Sequence, residues 1–289
     1  MPEDLENRLN AQIVADPKTD TISGTFEVEG AKVTGIEPHD PEEPAMTKEA
    51  IDASVDKVVP GNKWEFDADV AACFNNMLER SIPGYFDMRR LSYDLGKRFI
   101  QPYASTVIDL GASRGEALRP FIEEGKALNY IGLEVSEPMR REFKKEFGAY
   151  ENVSVMDYDL RTIDSGDFSH HKVDLVLSIL TLLFTPIQYR SKIIKNVYDM
   201  LQPGGAFILV EKVLGSCSEI DDMLVDAYYE MKSANGYSPD DIQRKKASLE
   251  GVQVPVTRDA NVAMLKAEGF SKVDGFFRNL NFAGWIAVK

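Results

Sequence analysis

Beyond Pro102 the chain alternates between short apolar runs and stretches of helical period, and no other feature narrows its fold so much. The runs lie at 106–110, 130–133, 153–156, 175–180 and 206–210. They are continuous in Val, Ile and Leu rather than alternating with polar residues, as strands covered on both faces are. Between them, segments such as 137–147 and 187–201 repeat apolar residues every three or four positions, the spacing of one helix face. The last two strand-like stretches, 272–278 and 281–288, are separated by so few residues that they form a hairpin and run antiparallel. The expected fold class is therefore α/β: a doubly wound, Rossmann-like sheet, mostly parallel, closed by a C-terminal antiparallel hairpin.

Two helices are expected ahead of the sheet. Val70, Phe74, Met77 and Leu78 share one face of the first, which stops at Ser81-Ile82-Pro83-Gly84. Met88, Leu91, Leu95 and Phe99 line the second, over 87–100. Ser238-Pro239 starts a later helix, and Gly269 ends another after Leu265.

Residues 1–60 differ from the rest. They hold fourteen Asp and Glu against five Lys and Arg, so they carry −9 of the chain's net −14. With Pro at 2, 17, 38, 41, 44 and 60, this stretch is expected to be a largely flexible acidic extension, or an arm that docks a protein partner. Thr25-Phe26-Glu27-Val28-Glu29, Gly30 and Lys32-Val33-Thr34 have the pattern of a short hairpin. Residues 61–289 form the expected catalytic domain.

Composition excludes several classes. No apolar stretch is long enough to span a bilayer, and the acidic start is unlike a signal peptide. Cys73 and Cys217 lack metal-ligand spacing, which with the absence of a disulfide pattern suits a cytoplasmic location and predicts no metal site. The net charge of −14 opposes bulk nucleic-acid binding, which needs clustered cations.

The chemistry centres on Val107-Ile108-Asp109-Leu110-Gly111-Ala112-Ser113-Arg114-Gly115, a strand that ends in a tight Gly turn before a helix. Glycines there let a ligand approach the backbone, and the loop could cradle a phosphate or the amino-acid part of a nucleoside cofactor. Gly-x-Gly-x-x-Gly and Gly-Lys-Ser/Thr are both missing, which disfavours dinucleotides and nucleoside triphosphates. Glu134, at the end of the next strand, is placed to accept both hydroxyls of a ribose. Asp159, after the third strand, could accept an adenine amino group. Leu201-Gln202-Pro203-Gly204-Gly205 is a turn that leads into the fifth strand.

Together these residues resemble the class I S-adenosylmethionine (SAM)-dependent methyltransferases. Arg80-Ser81-Ile82-Pro83-Gly84-Tyr85, Glu211-Lys212, Ser233-Ala234-Asn235-Gly236-Tyr237-Ser238, Ser248-Leu249-Glu250 and Asn281-Phe282 resemble motifs of one branch, the carboxy-SAM synthases, over residues 66–289. The resemblance implies SAM, S-adenosylhomocysteine or carboxy-SAM as ligand. It implies cofactor contacts from Asp109, Gly111, Ala112, Ser113, Glu134, Asp159 and Ser178, with Tyr85 and Lys246 flanking the transferable group. It further implies a small-molecule substrate and a homodimer.

In that branch prephenate loses carbon dioxide, which the SAM methyl carbon captures as an ylide, and the product serves wobble-uridine modification of tRNA. The chain has Lys246 where the branch has Arg, Ser178 where it has Asn, and Leu182 where it has Gln. Ala112 and Arg114 replace Cys and Leu. Lys supplies a point charge where Arg supplies a planar fork. The functional expectation is methyl transfer from SAM to an unidentified acceptor. The alternatives are carboxy-SAM synthesis and a non-catalytic SAM-binding scaffold.

Overall fold

The computed structural model describes Asp56, Val58 and residues 62–289, together with the backbone of three N-terminal strands. The contacts divide the chain into two units, Met1–Ala50 and Ile51–Lys289. The first holds β1 (Ala11–Asp16), β2 (Thr21–Val28) and β3 (Ala31–Val33), paired antiparallel in that order. The expected hairpin is present as β2–β3, with Phe26 opposite Val33, and β1 extends it to three strands. The expected flexibility of residues 1–60 falls mostly outside the described residues.

The boundary differs from the expected 60/61. Asp56 is buried in the second unit, where its carboxylate is ion-paired with Lys245, so the second unit begins earlier than charge and proline content suggest.

The second unit begins with α1 (Ala68–Ser81) and α2 (Tyr85–Gly96). The Asp67 carboxylate caps α1 by accepting from the Val70 amide, at 2.9 Å. Gly84, at φ +66°, makes the turn between them. The sheet is built from β4 (Thr106–Leu110), β5 (Asn129–Glu134), β6 (Val153–Asp157), β7 (Val173–Ile179), β8 (Leu201–Leu214), β10 (Lys272–Asn279) and β11 (Phe282–Val288). Its order is β10-β11-β8-β7-β4-β5-β6, and the short β9 (Val256–Thr257) pairs parallel to the end of β8. β4 to β8 are parallel; β11 runs antiparallel to both β8 and β10.

Alternate residues of each central strand feed two cores. Ile108, Leu110, Val176, Phe207 and Leu209 pack with Ile193, Ile194 and Val197 of α5 (Ile187–Met200) and Leu265 of α8 (Arg258–Ala267). Val107, Leu175, Leu177 and Ile208 pack with Phe121 of α3 (Arg119–Glu124) and with Phe143 and Phe147 of α4 (Glu137–Phe147). Period-two alternation between two helical layers makes these strands read as continuous apolar runs. The remaining helices, α6 (Ser218–Ala234) and α7 (Pro239–Leu249), follow β8, and α7 starts on a capping box formed by Ser238 and Asp241. Among the described residues no helix is long and apolar enough to cross a membrane.

Candidate active site

The strand order reverses between the parallel β4 and β7, with β5 and β6 on one side and β8 on the other, and open α/β sheets bind ligands at such a crevice. A cavity of about 1060 Å³ opens there, walled by the carboxyl ends of β4, β5, β7 and β8 and by residues of α1, α2, α6 and α7. Its size matches the upper range of small-molecule sites.

The loop after β4 is held tightly. Gly111 and Ser113 have φ of +71° and +48°, and the amides of Gly111 and Ala112 both donate to the Leu133 carbonyl, at 2.8 and 3.0 Å. A side chain at Gly111 would place Cβ 2.4 Å from Thr181 Cγ2, so glycine lets this loop close against the segment that follows β7. The Ser113 amide donates to Glu134 Oε2 at 2.9 Å, and the Ser136 amide donates to Oε1 at 2.8 Å. These amides are therefore taken up by the neighbouring strand end, and the loop is not an open phosphate cradle. The helix also starts later than expected, at Arg119.

Of the expected contacts, Asp109, Gly111, Ala112, Ser113, Glu134 and Asp159 line the cavity, as do Tyr85 and Lys246. Burial raises the Glu134 carboxyl, and the Ser136 and Ser113 amides pull it back. Each of its oxygens keeps a lone pair for a diol. Asp109 is only 2% exposed, and burial pushes its carboxyl up to about 8. Asp159 is engaged by Arg161, whose Nε and Nη2 donate to Oδ2 at 2.9 and 2.6 Å, while Arg161 N donates to Oδ1 at 2.9 Å. That arrangement leaves little capacity for an adenine amino group unless Arg161 moves. Ser178 stands away from the wall: it is fully buried in β7 and its hydroxyl has no hydrogen-bond partner among the described residues, while Ile179, Leu180 and Thr181 take the wall positions. The strand's alternation turns residue 178 into the layer and residue 179 toward the opening.

Among the further site residues Lys212 belongs to the Glu211-Lys212 motif, and the others carry no local sequence signal. Tyr228 and Tyr229 of α6 both line the cavity, and so do Lys212, Lys232, Arg89 and Glu116. Lys212 lies 4.8 Å from the Tyr228 ring centroid, Lys232 lies 5.6 Å from it, and Lys246 lies 5.9 Å from that of Tyr229. Burial lowers Lys212 and Lys232 to about 8, with neighbouring lysines adding to the shift. Arg244 points elsewhere, toward Asp240 at 4.0 Å, as its position two residues from Lys246 implies. Lys212 follows Glu211 in a strand, whereas Lys232 and Lys246 come from different helices, so only the tertiary fold gathers them.

The sheet and its acid-bearing strand ends define a SAM-dependent transferase of the methyltransferase fold class. The Methyltransferase domain family matches residues 108–207. The fold is shared with an O-methyltransferase family protein from Burkholderia thailandensis, at TM-score 0.55 and 15% identity over 77% of this chain and 60% of that one. Human N-acetylserotonin methyltransferase in complex with SAM matches at TM-score 0.50 and 14% identity, over 77% of this chain and 55% of that one. The sequence is 34% identical to the carboxy-S-adenosyl-L-methionine synthase of Nautilia profundicola, over 78% of this chain and 95% of the relative. It is 35% identical to that of Shewanella piezotolerans, over 78% and 93%. The chain belongs to the carboxy-S-adenosyl-L-methionine synthase family.

Proposed function

We propose that this chain forms carboxy-SAM from SAM and a small carboxylate donor, prephenate. One observation carries the reading: three lysine side chains, Lys212, Lys232 and Lys246, share a cavity with the Gly111 loop and Glu134. A plain methyl transfer needs only alignment of the nucleophile and exclusion of water. Cations clustered at the wall suit a reaction whose second substrate and product both carry carboxylates.

The residues present fit SAM. The cavity is large enough, Glu134 retains acceptor capacity for the ribose hydroxyls, and the Asp109 carboxyl has no hydrogen-bond partner among the described residues. SAM, when bound, supplies a methyl carbon activated by its sulfonium. Glu134 would hold the ribose, and Asp109 the cationic end of the methionyl group. Leu133, Ala117, Leu180 and Phe282 give the site apolar walls that exclude water. Lys212, Lys232 and Lys246 would hold the donor's carboxylates, and Lys246, the most exposed of the three, would meet the newly formed one. Tyr85, whose hydroxyl accepts from Arg89 Nη1 at 3.1 Å, would flank the reacting carbon.

Mass spectrometry of reactions containing SAM and prephenate tests this proposal. Carboxy-SAM should form in wild type and fall about tenfold with Lys246→Ala, the effect of losing one charge-assisted contact. Lys246→Arg should keep the product. Absence of carboxy-SAM, with S-adenosylhomocysteine accumulating on addition of an acceptor, would overturn the proposal in favour of methyl transfer.

A further inference from the structure

The chain leaves β7 through Leu180, at φ +60°, a conformation that a residue with a side chain holds only where its surroundings impose it. A 3₁₀ turn, Leu182–Phe184, follows, and this loop gives the cavity Thr181, Phe184, Thr185 and Pro186. A second segment, after α7, gives it Gln253 and Pro255. Arg190 of α5 is 1% exposed and is not on the cavity wall, yet it holds both segments. Its Nε donates to the Thr185 carbonyl at 3.0 Å, and its Nη2 donates to the carbonyls of Leu183 and Val254 at 3.3 and 2.6 Å. The Val254 amide also donates to the Leu183 carbonyl, at 2.8 Å.

A guanidinium is costly to bury unless it is hydrogen-bonded, and each described hydrogen bond of Arg190 goes to a backbone carbonyl of one of these two segments. The same loop is held by Glu211, also 1% exposed, which accepts from the Leu182 amide at 3.1 Å. At the start of the loop, Thr181 is the residue on which the Gly111 turn closes. In the second segment, the Gln253 amide donates to the Leu249 carbonyl at 2.8 Å and the Glu250 amide to the Lys246 carbonyl at 3.2 Å, so hydrogen bonds run on into the helical turn that bears Lys246. Arg190 therefore joins the loop that meets the Gly111 turn to the helix end that carries Lys246.

We propose that Arg190 is a positioning residue for the transfer step: from outside the cavity it locks the loop after β7 to the segment after α7, and so fixes Lys246 relative to the Gly111 turn. This role rests on the reading that the chain makes carboxy-SAM with Lys246 at the new carboxylate. A guanidinium suits the task because its planar fork meets three carbonyls in fixed directions, which an ammonium on a flexible stem does not. Alignment of the reacting groups carries much of the rate of such a step, and a displacement of about 1 Å can cost on the order of a hundredfold. Loss of Arg190 should therefore appear in kcat and not in the affinity for either ligand.

Carboxy-SAM formation from SAM and prephenate, followed by mass spectrometry on the full chain, tests this at a temperature where circular dichroism shows each variant folded. Arg190→Lys should lower kcat about tenfold. KM for prephenate, and the affinity for S-adenosylhomocysteine by calorimetry, should each change less than about threefold. Arg190→Met should lose more, and the Lys variant serves if the Met variant fails to fold. Because Arg190 acts through Lys246, Arg190→Lys should cost less than about twofold when added to Lys246→Ala. A residue that only stabilises the fold would leave kcat of the folded variant unchanged, and that result would overturn the positioning role. So would a loss confined to S-adenosylhomocysteine affinity, or a full tenfold further loss on top of Lys246→Ala. If wild type itself forms no carboxy-SAM, the proposed reaction falls and the positioning role with it; an active wild type with an equally active Arg190→Lys sinks the positioning role alone.

Discussion

Removing the carboxylate of Asp56 should unfold this enzyme at a markedly lower temperature. Its side chain is completely buried and meets the Lys245 ammonium and the Tyr237 hydroxyl, both at short range. The Val58 amide donates to Oδ1 at 3.1 Å, and the Asp56 amide itself donates to Asn76 Oδ1 at 2.9 Å. Lys245 has a side chain only 5% exposed, 4.7 Å from the Tyr237 ring centroid. Asp56→Ala would strand that ammonium in the interior, and breaking a buried pair from one side costs about 3–5 kcal/mol. A unit of this size shifts by roughly 2–4 °C per kcal/mol, so Tm should fall by about 6–20 °C. Lys245→Met should cost a similar amount. The double variant should lose clearly less than the sum of the two, because neither charge is then stranded. Burial raises the Asp56 carboxyl, but the hydrogen bonds from Lys245 and Tyr237 outweigh it and hold the group below its ordinary value. The stabilisation is thus present above the ordinary carboxylate range and is lost as pH falls through the depressed value. Differential scanning calorimetry of the four proteins checks this. A Tm change under 2 °C for Asp56→Ala, or strictly additive losses, would refute the reasoning.

Two further outcomes are expected. Lys212 and Lys232 titrate at about 8, so they are charged at neutral pH and lose their protons as pH rises through that value. KM for an anionic second substrate should rise above pH 8, and a KM that stays flat from pH 6.5 to roughly 9.5 would contradict their assignment to that substrate. Gly111→Ala forces a side chain onto Thr181 and onto a φ of +71°. Strain and overpacking together should cost about 2–5 kcal/mol. Urea denaturation measures this, and an unchanged midpoint would mean that the loop has room the packing does not show.

Much of the scaffold was legible in the residue pattern. α4 spans the expected 137–147, and β4 the expected 106–110, because each is bounded by strong local signals: a Ser136 cap before one, a Gly turn after the other. β8 was harder to delimit. The expected turn at 201–205 is drawn into the strand, and its pairing with β7 shifts between Val173 and Leu175. Ser178 shows the limit of motif matching, since placing a residue on the right strand does not say which way it turns.

Local order along the chain determined the α/β alternation, the Gly turn at 111 and the acids at the strand ends. These depend on neighbours within a few residues, and period and capping act at that range. The cationic wall of Lys212, Lys232 and Lys246 and the Asp56–Lys245 pair were decided only by the tertiary structure. Asp56 and Lys245 lie 189 positions apart, and each looks like an ordinary surface charge until the chain between them has packed. Burial then removes the water that would have screened them, and that desolvation gives these charges their chemical effect.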